Sequence, residues 1–192
     1  MAVGEYVSVF TAIVIGLAVT DLAISLHRLT RAGPRVRWDW ITPALAVVML
    51  LNVVAVWWAS YRWYSGVSDL TIGAFLPDVV ILLLVFLAVA VVLPDEVPAE
   101  GLDLRAYYWA TARQFWLLNV GYLLMITGFV SPRYTAGGDW GVILTANIDN
   151  MVLLAACLTL AFVRPPWLHM AAVPMLLIGT AISYLPEGFR PG

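Results

Sequence analysis

Two opposite charges lie inside long apolar segments of the sequence, Asp21 in the first segment and Arg113 in the fourth. An ionisable side chain in the core of a bilayer costs about 2.5 to 3.5 kcal/mol on insertion scales, so it rarely lacks a partner or a function. Asp21 is seven residues before Arg28, and Arg113 is eight residues after Arg105. Both charges therefore reach a similar depth, ~10 Å from the same membrane surface. We expect a bidentate Asp21–Arg113 pair, either a brace between two helices or the inner gate of a transport path.

A second group of polar side chains is predicted toward the opposite surface. Asp149 and Asn147 lie in the fifth apolar segment, and Asp78 directly follows Pro77 in the third. Because proline has no N–H, it leaves the carbonyl of Gly73 without its helical hydrogen bond. A free carbonyl beside a carboxylate suits a cation, although an arginine near the same surface could neutralise Asp78 instead. No basic residue is expected at the depth of Asp149, so this acid is predicted to be functional or protonated.

Amide side chains lie between these two groups. Asn52 in the second segment and Asn119 in the fourth are placed near the middle of the bilayer, and Asn147 shares a helical face with Asn150. Such asparagines either form interhelical hydrogen bonds, worth about 0.6 kcal/mol on average, or line a polar path. On the second interpretation, the outer site contains Asp149 and Asp78, the middle is lined by Asn147, Asn52 and Asn119, and the inner gate is Asp21 with Arg113.

Small residues recur in the first segment at a strict four-residue spacing: Ser8, Ala12, Gly16 and Thr20. We call this stripe the small-residue ridge. A stripe of this kind lets the backbone of another helix approach closely. It predicts close packing, either against a helix of the same chain or against a second subunit.

The motifs of common enzyme classes are missing from the sequence. It contains no G-x-S-x-G, H-E-x-x-H or C-x-x-C pattern and no glycine-rich phosphate loop. An aspartate-dependent intramembrane hydrolase would need Asp21 and Asp149 at one depth, whereas different depths are predicted. His27 and His169 lack metal-ligand spacing and are interpreted as residues of the membrane interface, and Cys157 as a small packing residue. We therefore expect no enzyme activity, no metal, no cofactor and no nucleic-acid partner.

The composition around these residues is that of a membrane protein. Hydrophobic residues make up 62% of the chain and charged residues 11%, and the mean hydropathy is +0.91. A helix of ~20 apolar residues spans a bilayer. The sequence predicts an all-α polytopic protein with a single domain over residues 1–192, whose six transmembrane helices cover about 6–28, 40–62, 72–93, 106–130, 141–163 and 167–186.

The distribution of arginines between the loops predicts the orientation of the chain in the membrane. All ten basic residues are Arg, a usage that we associate with a GC-rich bacterial genome. Positively charged loops stay in the cytoplasm. We therefore expect a bacterial inner-membrane protein with both termini in the periplasm, because the first, third and fifth loops hold six arginines (28, 31, 35, 37, 105 and 164) against three on the other side (62, 133 and 190).

Short sequence signatures recur in the two halves of the chain. Pro34-Arg35 followed by Asp39-Trp40 matches Pro132-Arg133 followed by Asp139-Trp140. The third segment of each half also has a proline near its start. With three spans per half, two such copies would lie inverted in the membrane, as in many secondary transporters. The sequence thus raises the possibility of a 3+3 inverted repeat.

Two classes of function agree with these features. We expect a transporter or channel-like protein that moves a small solute or ion by way of its intramembrane carboxylates. The alternative is a non-transporting membrane interaction or scaffold subunit, or the substrate-binding subunit of a larger complex. In size and number of spans the chain resembles the substrate-binding components of vitamin transporters. The expected partners are the lipid bilayer and either a second copy of the chain or another membrane subunit.

Overall fold

The computed structural model describes residues 3–64, 67–134 and 139–184, and leaves out the side chains of Arg133, Tyr134 and Tyr184. The predicted end of the sixth span, at residues 185 and 186, lies outside the described residues. The chain is all-α, as expected. Its helices are α1 (Val3–Ala32), α2 (Ile41–Tyr64), α3 (Ile72–Val92), α4 (Leu104–Met125), α5 (Ser131–Tyr134), α6 (Trp140–Ala146), α7 (Ile148–Phe162) and α8 (Pro166–Tyr184).

Side-chain caps fix where three of these helices begin. Thr71 accepts a hydrogen bond from the backbone N–H of Ala74 at the start of α3. Asp103 and Asp139 accept bonds from the first N–H groups of α4 and α6 in the same way. The first turn of a helix leaves its N–H groups without intrahelical partners, so these oxygens supply what the backbone cannot.

Four helices are long and apolar enough to cross a membrane: α1 with its following turn, α2, α3 and α8. A fifth candidate consists of α6 and α7 together, which are bent by 71° at Asn147. The structure therefore bears out several apolar membrane helices, but the fourth predicted span, at about 106–130, is not among them by length and composition. That segment is α4, whose hydropathy is lowered by Arg105, Arg113, Gln114 and Asn119.

A two-stranded parallel sheet joins the first and third loops. The strands are β1 (Val36–Arg37) and β2 (Leu102–Asp103). Arg37 Nη1 lies 3.4 Å from Asp103 Oδ2, and the Thr42 hydroxyl donates to the carbonyl of Leu104 at 3.3 Å. We call this end of the bundle the sheet end.

The opposite end of the bundle holds the amino terminus. Gly4 donates its N–H to the carbonyl of Val67 at 3.3 Å, and its Cα lies directly against the backbone of Tyr64 at the end of α2. We call it the amino-terminal end. The α1–α2 and α3–α4 connections therefore share one end, while the amino terminus and the α2–α3 connection share the other.

Helices α3 and α4 run antiparallel. Tyr107, near the start of α4, donates its hydroxyl to the carbonyl of Val91 near the end of α3, at 2.9 Å. Further along, a Cβ placed on Gly121 would lie 3.4 Å from the side chain of Leu84. On its other side α4 packs on α7. Helix α4 thus runs beside an apolar candidate span for most of its length.

The packing of the two halves differs. In the first half, α1 packs on α2 and α3, and α2 packs on α3. In the second half, α4 packs on α7, but the backbone of α8 packs mainly on α2 of the first half. The two halves therefore share proline and tryptophan signatures at helix ends but differ in how their helices pack. The 3+3 inverted repeat is not confirmed.

We predict that Gly101→Ala destabilises the protein by about 1 to 3 kcal/mol, because Gly101 has φ +98° and an added Cβ would lie 2.8 Å from the carbonyl oxygen of Arg35. The measurement is the free energy of unfolding in detergent by denaturant titration. Gly73→Ala in α3 is the matched control, since a Cβ there meets nothing within 4 Å. Equal stability of the two variants would contradict the tight approach of the third loop to the first.

Candidate functional site

The structure does not bring Asp21 and Arg113 together. Within the described residues, neither side chain has an oppositely charged group within 4.0 Å. Helix α1 packs on α2 and α3, whereas α4 packs on α3 and α7, so the helices that carry the two charges are not packed on each other. Arg113 instead places its guanidinium carbon 5.1 Å from the ring centroid of Phe162.

The predicted equality of depth nevertheless agrees with the structure. Arg28, seven residues after Asp21, donates to the carbonyl of Asp95 at 2.6 Å, which places it at the sheet end. Tyr108 lies five residues before Arg113 and contacts the start of α8, also at the sheet end. The predicted contact failed because residue spacing fixes depth along a helix, but does not fix which neighbours the helix has.

Arg113 lies on an outward face of α4. It lines an open groove of about 460 Å³ together with Ala110, Gln114, Leu117 and Leu118. Arg113 and Gln114 are both exposed. The buried face of the same helix carries aromatic side chains, of which Trp116 is 1% exposed. Helix α4 therefore turns its aromatic face inward and its most polar face outward.

The break between α6 and α7 is held by side-chain amides. Asn147 is buried and donates its Nδ2 to the carbonyl of Ile143 at 2.8 Å. Its Oδ1 accepts hydrogen bonds from the Ser131 hydroxyl and from Asn150 Nδ2, both at 2.9 Å. The predicted shared face of Asn147 and Asn150 is confirmed by this bond. Asp149 is exposed.

A π-helical turn, Ile126–Val130, follows α4 near this break. Within it Thr127 is 7% exposed, and its hydroxyl has no hydrogen-bond partner among the described residues. Asp78 of α3 is also buried. It lies six residues before Leu84, and Thr127 lies six residues after Gly121. Because Leu84 meets Gly121, the antiparallel register places Asp78 and Thr127 at about the same level on neighbouring helices.

The two amides that were predicted near the middle of the bilayer, Asn52 and Asn119, are half-buried. Asn119 donates its Nδ2 to the carbonyl of Phe115 in its own helix, at 2.9 Å. Asn52 lies in α2 between apolar residues that face the core. The role of both residues in a polar path stays a prediction.

The small-residue ridge is largely unpacked within the chain. Ala12, Gly16 and Thr20 are exposed, and a Cβ on Gly16 would meet nothing within 4 Å. The hydroxyls of Ser8 and Thr20 donate to carbonyls of their own helix, at 2.8 and 2.7 Å. The ridge was predicted to pack either within the chain or against a second subunit. Within the described residues, no helix of the same chain packs closely on Gly16.

A buried hydrogen-bond network at the sheet end was missed by sequence reasoning. His169 is 1% exposed, so its interpretation as an interfacial residue was wrong. Its Nε2 lies 2.9 Å from the carbonyl of Val163, which assigns the proton to that nitrogen, and its Nδ1 accepts from the Tyr108 hydroxyl at 2.6 Å. Trp116 Nε1 donates to the same hydroxyl at 3.3 Å. The ring of Trp109 packs 4.7 Å from the imidazole, centroid to centroid.

This network can fasten helices together but offers nothing for catalysis. Every polar atom in it has a partner in one protonation state, and the neutral imidazole is enclosed by aromatic rings. The signal in the sequence was the pair Tyr108 and Trp116, which lie on one face of α4 and supply an acceptor and a donor to whatever packs there. The network joins the junction between α7 and α8 to α4.

No group of three or more His, Cys, Asp or Glu side chains that could hold a metal ion occurs in the part of the chain that the structure describes. No family model, no curated protein and no solved structure matches the chain.

We predict that Tyr108→Phe costs much more stability than Tyr107→Phe. Losing the Tyr108 hydroxyl leaves His169 Nδ1 and Trp116 Nε1 buried without partners, at about 1 to 3 kcal/mol for each group. Tyr107→Phe removes one half-buried hydrogen bond, worth about 0.5 to 1.5 kcal/mol. Unfolding titrations of the two variants in the same detergent measure the difference. Equal losses would mean that the buried network does not form.

Proposed function

We propose that the chain is a six-pass protein of a bacterial inner membrane, with both termini in the periplasm. The positions of the helix connections support this topology. The α1–α2, α3–α4 and α7–α8 connections lie at the sheet end, and the amino terminus lies at the opposite end. Helix α4 is included as one of the six membrane-spanning helices because it runs antiparallel to α3. Six of the ten arginines lie in or beside the sheet-end loops, so this end faces the cytoplasm.

Within that topology, the proposed function is that of a membrane interaction subunit. The observation that carries it is the outward face of α4, where Arg113 and Gln114 line a groove. Polar side chains at membrane depth normally face the bundle interior or pair with one another. A face of this kind suits contact with another membrane helix, which would remove the two side chains from lipid.

The centre of the bundle supports the same proposal. Its middle is filled by apolar side chains, and none of Met49, Val53, Val85 and Val89 is more than 3% exposed. The buried polar atoms near the two ends of α7 are paired within the chain: His169 bonds to Tyr108 and to the carbonyl of Val163, and Asn147 bonds to Ser131, Ile143 and Asn150. A transport path needs polar groups that a passing solute can reach, whereas an interaction subunit needs only a stable core and a receptive surface.

A photo-crosslinking amino acid at Leu117 in the α4 groove should give a discrete protein adduct in native membranes. The same amino acid at Leu83, an exposed position of α3, should give none, because only apolar side chains surround it there. Arg113→Leu should weaken the Leu117 adduct, since the guanidinium is the groove's main polar contact. Gel mobility and mass spectrometry of the adducts are the readout. Absence of any protein adduct at Leu117 would sink the proposal.

Transport is the second candidate, and the observation that favours it is the turn around Thr127. A π-helical turn, a buried hydroxyl without a described partner and a buried carboxylate at the same level, Asp78, lie near the bend at Asn147. Single π turns occur often at functional sites, and broken helices mark binding sites in transporters. On this candidate, Asp78 and Asn147 belong to an ion site, and Asp149 lies at its entrance.

If the protein carries protons or proton-coupled solutes, proteoliposomes that contain it should show proton flux above protein-free vesicles. Asp78→Asn should abolish that flux, because it removes the buried carboxylate, whereas Asp69→Asn on the exposed α2–α3 connection should not. A pH-sensitive dye inside the vesicles reports the flux. Equal signals with and without protein would eliminate proton transport as the function.

A further inference from the structure

The groove on α4 and the outward face of α1 carry opposite charges at one depth. Arg113 lies in the groove, and within the described residues no carboxylate oxygen comes within 4.0 Å of its guanidinium. Asp21 is half-buried on the flank of α1 and likewise has no basic group within 4.0 Å. Both lie near the sheet end, but on helices that are not packed on each other. A contact within one chain is therefore not available to this pair.

We propose that a second copy of this chain covers the α4 groove, with Asp21 of the partner subunit paired to Arg113. The proposal rests on the interaction function proposed above and names its partner. Copies in one membrane share one orientation, so the two charges keep the same depth when they lie on different protomers. Charge complementarity thus holds between copies although it fails within the chain.

The surroundings of the two charges fit the same contact. Leu17, Asp21 and Ile24 share one face of α1, and the two apolar residues are 57% and 44% exposed. Ala110, Arg113 and Leu117 share the groove face of α4. The small-residue ridge runs beside the α1 face and has nothing packed on Gly16, so the backbone of α1 can approach closely.

The register of the contact follows from the direction of the helices. Helix α1 runs from the amino-terminal end toward the sheet end, and α4 runs the opposite way. When Asp21 lies opposite Arg113, an antiparallel pair places Leu17 opposite Leu117 and Ile24 opposite Ala110. All four of these flanking residues are exposed in the single chain.

Disulfide crosslinking in membranes tests this register. Two full-length chains with different tags, both carrying Cys157→Ala, are co-expressed and oxidised. Ile24→Cys in one chain with Ala110→Cys in the other, and Leu17→Cys with Leu117→Cys, should give dimers that carry both tags. Leu17→Cys with Ala110→Cys is the matched control, because it sets the sulfurs about 10 Å out of register, beyond the reach of a disulfide.

Charge exchange tests the pair itself. Asp21→Arg in the Ile24→Cys chain should lower the yield of mixed dimer about tenfold or more, and Arg113→Asp in the Ala110→Cys chain should restore it. Dimers of equal yield in the matched and control registers, or no dimer at all, would overturn the proposal. A Leu117 photo-adduct with a different protein, in the absence of these disulfides, would overturn it and leave the interaction function standing.

Discussion

The structure depends on the need to satisfy polar groups where water is absent. In the core of a bilayer a backbone N–H or carbonyl without a partner costs several kcal/mol, so helices must supply their own bonds and chain reversals must find others. Outside the helices, at the sheet end, three contacts hold the loops and the start of α4: the β1–β2 pairing, the capping of α4 by Asp103 and the Thr42 hydroxyl on the carbonyl of Leu104. Together they fix how α4 enters the bundle.

Helix α4 carries polar groups on both its inward and its outward face. Its inward face is apolar and aromatic, as in any core, yet that face includes Trp116 Nε1, which donates to the Tyr108 hydroxyl, and this hydroxyl in turn bonds to His169. Its outward face carries Arg113 and Gln114, which are both exposed. The polar groups directed inward are paired within the chain, and those directed outward are available to something else.

Sequence patterns predicted properties that follow from position along one helix. Hydropathy located the helices, and residue spacing placed Asp21 and Arg113 at one depth and Asn147 with Asn150 on one face. The same patterns did not predict which helices are neighbours, because that depends on packing between distant segments. The Asp21–Arg113 contact failed for this reason, and the His169 network was missed because His169 and Tyr108 lie 61 residues apart in the sequence.

On the proposed six-span topology, interaction energies indicate why the face of α4 that carries Arg113 is incomplete in a single chain. A charged side chain at membrane depth costs about 2.5 to 3.5 kcal/mol on insertion scales. Its contact with the ring of Phe162 is worth about 0.5 to 1 kcal/mol when exposed and about 2 when desolvated. Phe162 is 59% exposed, and at that depth its exposed surface faces lipid. Even the higher value of about 2 kcal/mol leaves part of the cost without an offset within the chain. A covering helix that supplies a carboxylate would offset the remainder by pairing with the guanidinium.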